Sequence, residues 1–176
     1  MIGALAAAVT LALTGGAAVT EDEFPIRQCG ERIESGRAPL AFPAAGSGAV
    51  VVGPVAFSGL PQAGTRAGIG TRLADGRYSR KVGLLVRAGR PVVLSVPEKY
   101  RDRLWLQYIW NEDTSAARIE PCPPSTRAFS YAGRVGAVTG FSGGFLIAKR
   151  GCYPLDVRVV GGRTHRVRIA FGYPCR

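Results

Sequence analysis

The sequence predicts an all-β protein: an antiparallel β-sandwich of about eight short strands, Ig-like or related, behind an N-terminal export segment. Three observations carry this. Apolar residues alternate with polar ones in short runs, the period of half-buried strands. Outside the first 20 residues no segment shows a sustained 3.6-residue apolar period. Glycine and proline signals divide the runs and supply turns between them.

Residues 1–20 contain no charged side chain and are followed directly by Glu21-Asp22-Glu23. This is the pattern of an exported chain. The segment is alanine-rich and broken by Gly15-Gly16, which suits a cleaved signal, and Gly16 and Ala18 offer small residues for a cut before Val19. A positively charged start is missing, so retention as an N-terminal anchor is the alternative. Residues 21–48 then read as an extended lead-in pinned by Cys29, and residues 49–176 as the sandwich domain.

Val50 to Phe57 is strand-like, with Pro54 demoting it to an edge or a bulge because proline cannot donate to a ladder. Residues 58–80 form a Gly/Arg-rich loop, and any minor helix falls within 62–75 or 98–103. A hairpin is expected over Lys81–Pro97, with Val82, Leu84 and Val86 facing Val96, Leu94 and Val92 across an Ala88-Gly89-Arg90 loop. Leu104 to Trp110 reads as a central strand, apolar on both sides. A short strand over Ala116–Pro121, a loop over 123–140 and a strand over Gly144–Lys149 follow. The last hairpin turns at Gly161 to Arg163, setting Leu155 opposite Ile169, Val157 opposite Val167, Val159 opposite His165, Asp156 against Arg168, and Arg158 directly opposite Arg166.

Cys29, Cys122, Cys152 and Cys175 are an even number in an exported chain, so two disulfides are expected. Four cysteines allow three pairings. The nested one, Cys122–Cys152 with Cys29–Cys175, ties the entering segment to the terminus and is the pairing favoured here. No CxxC spacing occurs and there is one histidine, so neither a metal site nor any other cofactor is expected.

The net charge is +11, from 23 basic against 12 acidic residues. Lysine occurs only at Lys81, Lys99 and Lys149, so the other 20 of the 23 are arginine, the side chain that best grips phosphate and carboxylate. Residues 126–176 hold nine bases against Asp156 alone. Candidate anion-binding residues are Arg158, Arg166 and Arg168 on the last hairpin, and Arg72, Arg77 and Arg80 in the Arg-rich loop.

Gly140-Phe141-Ser142-Gly143-Gly144 matches the GxSxG nucleophile elbow, and Asp156 and His165 follow it in hydrolase order. The elbow requires a strand before and a helix after it, whereas a strand follows Gly144. A glycine-rich bend entering a strand is therefore the expected role, with His165 a strand-end residue. No phosphate-cradling loop is complete, and nucleic acid is the wrong partner for an exported chain.

The C-terminal FSGGFLIAKRGCYPLDVRVV with its closing FGYPC, behind an alanine-rich leader, resembles small uncharacterised exported β-rich proteins of high-GC Gram-positive bacteria. The similarity covers residues 141–175; Cys152 and Cys175 match its cysteine positions, and the uncharged start departs from its usual leader. It implies an envelope or extracellular setting and no active-site residue. The expected function is that of a non-catalytic interaction module whose basic face meets anionic envelope polymer, anionic lipid or a protein partner. The alternatives are a purely structural secreted domain and a serine hydrolase using Ser142.

Overall fold

The structure, a computed structural model, describes residues 24–44, 47–60, 65–110 and 112–175, so the export expectation for residues 1–20 lies outside it. In chain order its strands are β1 Ile26–Arg27, β2 Val50–Val52, β3 Val55–Ser58, β4 Thr71–Arg72, β5 Tyr78–Lys81, β6 Gly83–Arg87 and β7 Val92–Ser95. They continue as β8 Leu104–Ile109, β9 Glu112–Thr114, β10 Ala116–Ile119, β11 Val138–Phe141, β12 Gly144–Ile147, β13 Gly151–Val159 and β14 Thr164–Phe171. The all-β expectation holds. Single turns of 3-10 helix at Cys29–Glu31, Arg66–Ile69 and Glu98–Tyr100 punctuate them, the last two inside the windows expected for minor helix.

The strands form three sheets: β1-β10-β7-β13-β14, β11-β6-β3-β2 and β4-β5-β12-β8-β9. Every pairing is antiparallel except β1 with β10. One core joins all three sheets, with Leu94, Leu155 and Phe171 from the first, Phe57 and Leu84 from the second and Leu106 and Phe145 from the third. Phe145 sits at its centre, with Phe57, Tyr108 and Phe171 ring centroids 5.6–6.1 Å away.

More strands form than the eight expected because several runs bend from one sheet into another. β5 and β6 are one run broken at Val82, and β11 and β12 are one run broken at Ser142-Gly143. Their pairing never changes register: Val138 opposes Arg87 and Phe141 opposes Leu84 in the second sheet, then Gly144 opposes Lys81 and Ile147 opposes Tyr78 in the third. The Val82 amide donates to the Gly143 carbonyl across the corner at 3.0 Å. The glycine-rich bend expected at Ser142 is this corner. Gly143 is required there, since a Cβ would lie 2.3 Å from the Tyr108 ring and 2.6 Å from the Gln107 carbonyl oxygen.

Several expectations are corrected. Lys81–Pro97 is not a hairpin: β6 pairs with β3 and β11, while β7 pairs with β10 and β13 in another sheet. The same alternation of valine and leucine serves either arrangement, because both arms bury one face in the shared core. Val50–Phe57 is two strands, not one, folded at Gly53-Pro54 so that Val52 opposes Val55; Gly53 takes a φ of 57° there. The 58–80 region carries β4 and β5 and the 123–140 region carries most of β11, because each supplies a partner that its sheet needs. β8 is interior, between β12 and β9, but only Leu104, Leu106 and Tyr108 are buried; Trp105, Gln107 and Ile109 face partly outward.

The last hairpin forms with a register two residues from the expected one. Leu155 opposes Val167, Asp156 opposes Arg166, Val157 opposes His165 and Arg158 opposes Thr164. A shift of two keeps every side chain on its face, so the buried set survives. It also removes the expected Arg158–Arg166 clash and sets Arg166 against a carboxylate.

The nested disulfide pairing is overturned: the bonds are Cys29–Cys122 and Cys152–Cys175. β1 lies alongside β10, which brings Cys29 to the residue following that strand's end region. Cys152 opposes Ala170 on β14, and the chain turns at Gly172 to return Cys175 beside it. The lead-in is thus part of the first sheet, and Ile33 also bridges to Gly140 of β11.

Candidate functional site

The six arginines expected to bind anions divide between two sheets. On the first, Arg166 holds Asp156 in a two-pronged contact, Nε to Oδ1 at 2.6 Å and Nη2 to Oδ2 at 2.8 Å, and the bonded carboxylate raises the arginine's pKa. Arg158 and Arg168 lie on the same hairpin as Arg166, with Arg158 opposite Thr164 and Arg168 opposite Pro154. On the third sheet, Arg77 contacts Asp75 at 2.6 Å and Asp113 at 3.6 Å and lies over the Trp105 ring. Arg80 donates from Nη2 to the Gly59 carbonyl at 3.0 Å. Arg72 stands exposed on the two-residue edge strand β4. These residues form no single site, and Arg77, Arg80 and Arg166 already have internal acceptors.

Ser142 and His165 are not brought together. Ser142 is exposed at the corner between β11 and β12 and lines a cleft on the third sheet. His165 packs on the Gly53 turn, with Cδ2 and Nε2 3.1 and 3.2 Å from where a Cβ would stand, and lines a different cleft. Among the described residues there is no group of three or more histidine, cysteine or carboxylate side chains able to hold a metal ion.

The structure assembles a basic cleft of about 370 Å³ that sequence reasoning missed. Three turns build it: Gly53-Pro54 between β2 and β3, Ala88–Pro91 between β6 and β7, and Val160–Arg163 between β13 and β14. Glycine in the left-handed region tightens each turn, with φ of 57° at Gly53, 64° at Gly89 and 69° at Gly161. Backbone hydrogen bonds lock the turns together. The Arg87 amide donates to the Pro54 carbonyl and the Val160 amide to the Pro91 carbonyl, both at 3.0 Å. Arg87, Arg90, Arg163 and His165 line the space, and no carboxylate does. The Arg87 guanidinium stacks 3.9 Å above the Phe42 ring, which fixes its plane.

No family model, no curated protein and no solved structure matches this chain. The site is therefore read from its own chemistry. Three arginines lining one open hollow, with no carboxylate among the lining residues, suit an oxyanion such as phosphate, sulfate or carboxylate. The signal in the sequence was an arginine beside each of two glycine turns, at Arg87-Ala88-Gly89-Arg90 and Gly161-Gly162-Arg163. Only the fold shows that these turns converge.

Proposed function

We propose that this chain is an exported, disulfide-bonded sandwich-type module that binds phosphate or carboxylate groups of an anionic envelope polymer or lipid surface, without catalysis. The observation that carries the reading is the convergence of Arg87, Arg90 and Arg163 with His165 in a cleft lined by no acid. Two disulfides support an oxidising compartment, since such bonds persist outside the reducing cytosol. The separation of Ser142 from His165 supports a binding role over a hydrolytic one. The net charge of +11 would draw an anionic surface toward the module, and the cleft would fix where it seats.

Co-sedimentation tests this with long-chain polyphosphate, phosphatidylglycerol vesicles and neutral phosphatidylcholine vesicles, at about 50 mM and about 500 mM salt. Retention is expected on the anionic partners alone, falling steeply with salt, and the polyphosphate and vesicle arms separate polymer from lipid. The triple variant Arg87→Ala, Arg90→Ala, Arg163→Ala should lose about tenfold or more in affinity, because each arginine contributes a charge-assisted contact. The equally neutralising Arg72→Ala, Arg77→Ala, Arg168→Ala should lose much less. Equal losses from the two triples would reduce the cleft to bulk charge, and equal retention on neutral vesicles would end the electrostatic reading.

A further inference from the structure

The larger cleft, about 680 Å³, lies over the outer side of the third sheet. Ser79 and Lys81 of β5 line it on one side and Gln107 and Ile109 of β8 on the other, with Ser142 and Gly143 of the corner between β11 and β12 also in its lining. Trp110, just beyond β8, forms one wall. It is 61% exposed, and the guanidinium of Arg27 lies 4.3 Å from its ring centroid. Arg27 is itself buried, only 1% exposed, and is held by Glu31 through Nη1 to Oε1 at 3.3 Å and Nη2 to the backbone carbonyl at 3.1 Å. The indole is therefore backed by a fixed cation on one face and open on the other.

The polar groups are equally fixed. Gln107 Nε2 donates to Asp113 Oδ1 and Gln107 Oε1 accepts from Ser79 Oγ, both at 3.0 Å. A glutamine amide has two N–H donors and two carbonyl lone pairs, so one donor and one acceptor site remain on this side chain, which lines the cleft. The charges cancel: Arg27 and Lys81 stand against Glu112 and Asp113. On a chain of net charge +11, a cleft with no net charge of its own does not select an anion.

We infer that this cleft is a saccharide-binding site. An open indole face matches the apolar C–H face of a pyranose ring, and a paired amide donor and acceptor matches neighbouring ring hydroxyls. A purely apolar ligand would strip water from the remaining hydrogen-bonding capacity of the amide and the carboxylates without replacing it, and an anion would meet as many carboxylates as cations.

Titrations with four neutral tetrasaccharides, cellotetraose, maltotetraose, mannotetraose and chitotetraose, test this by tryptophan fluorescence and calorimetry. A Trp105→Phe background leaves Trp110 as the reporter. At least one sugar should perturb Trp110 emission saturably, with a Kd changing less than about twofold between about 50 mM and about 500 mM salt. Trp110→Ala, at a position 61% exposed, should weaken binding about tenfold or more, and Gln107→Ala should weaken it as well, each with the fold retained by circular dichroism. The Arg87→Ala, Arg90→Ala, Arg163→Ala protein should bind the sugar normally, which separates this site from the anionic one. Absence of saturable binding by all four sugars, or binding undiminished in Trp110→Ala, overturns the proposal.

Discussion

Glu34 shows how a single carboxylate in the lead-in organises a distant loop. Its side chain is 3% exposed, and it accepts hydrogen bonds from the Ser130 amide at 2.8 Å, Ser130 Oγ at 2.7 Å, the Phe129 amide at 3.0 Å and Arg32 Nε at 2.7 Å. Burial pushes its pKa up, but the bonds from Ser130, Arg32 and Phe129 together outweigh burial and leave it below the ordinary glutamate range. A folded-state pKa depressed in this way gives stability that is fully present above the unfolded value and is lost as pH falls through the folded one. Glu34→Gln should therefore destabilise the protein at neutral pH by about 1–3 kcal/mol, since it removes a charged acceptor from several donors. The deficit relative to the parent should shrink as pH falls below the glutamate range. Urea denaturation of both proteins from neutral to strongly acid pH measures it, and a deficit constant with pH would show that Glu34 acts by shape rather than charge.

At the level of strands and crosslinks, the two disulfides close very different lengths of chain. Cys29 and Cys122 are 93 residues apart and Cys152 and Cys175 are 23, so loop-closure entropy gives about 4.6 kcal/mol for the first bond and about 3.4 kcal/mol for the second. The double variant Cys29→Ala, Cys122→Ala should accordingly lose more stability than Cys152→Ala, Cys175→Ala. The first bond also holds the segment that carries Arg27 against Trp110, so its loss should weaken any ligand on that wall, whereas loss of the second should not. Thermal melts and the fluorescence titration read the two effects separately. What could be read from the chain beforehand follows the same division. The alternation of Leu155 and Val157, and of Ile169 and Phe171, marks which side of each strand is buried, because burial is written in period two. It does not say which strand lies alongside. Val86 and Val92 are equally buried as hairpin partners or as members of different sheets, so the expected hairpin and the observed one-sheet-to-another turn leave the same pattern. Cysteine pairing failed for that reason, since it depends on β1 lying beside β10. The basic cleft was illegible for a related one: Arg87 and Arg163 meet only once three turns have been stacked at the same end.

For the molecule as a whole, the charge of +11 and the two clefts make a functional contrast. One cleft gathers cations at the joined turns, and the other balances them on an open sheet face. Binding at the first should respond to ionic strength and at the second should not, so a single salt series separates long-range attraction from local fit. The corner at Val82 and Gly143 bears on something else, the way this protein opens. A ladder that runs unshifted from the second sheet into the third makes one seam common to both, so neither can peel away without breaking hydrogen bonds that belong to the other. Amide protons of Phe57 and Leu84, in the second sheet, should exchange with solvent through the same cooperative event as those of Leu106 and Phe145, in the third. Native-state hydrogen exchange in low denaturant should merge these four amides into one isotherm, while those of the edge strand β4 exchange earlier through local fraying. The bend that looked like a nucleophile's seat would then be the hinge that denies the two sheets separate lives.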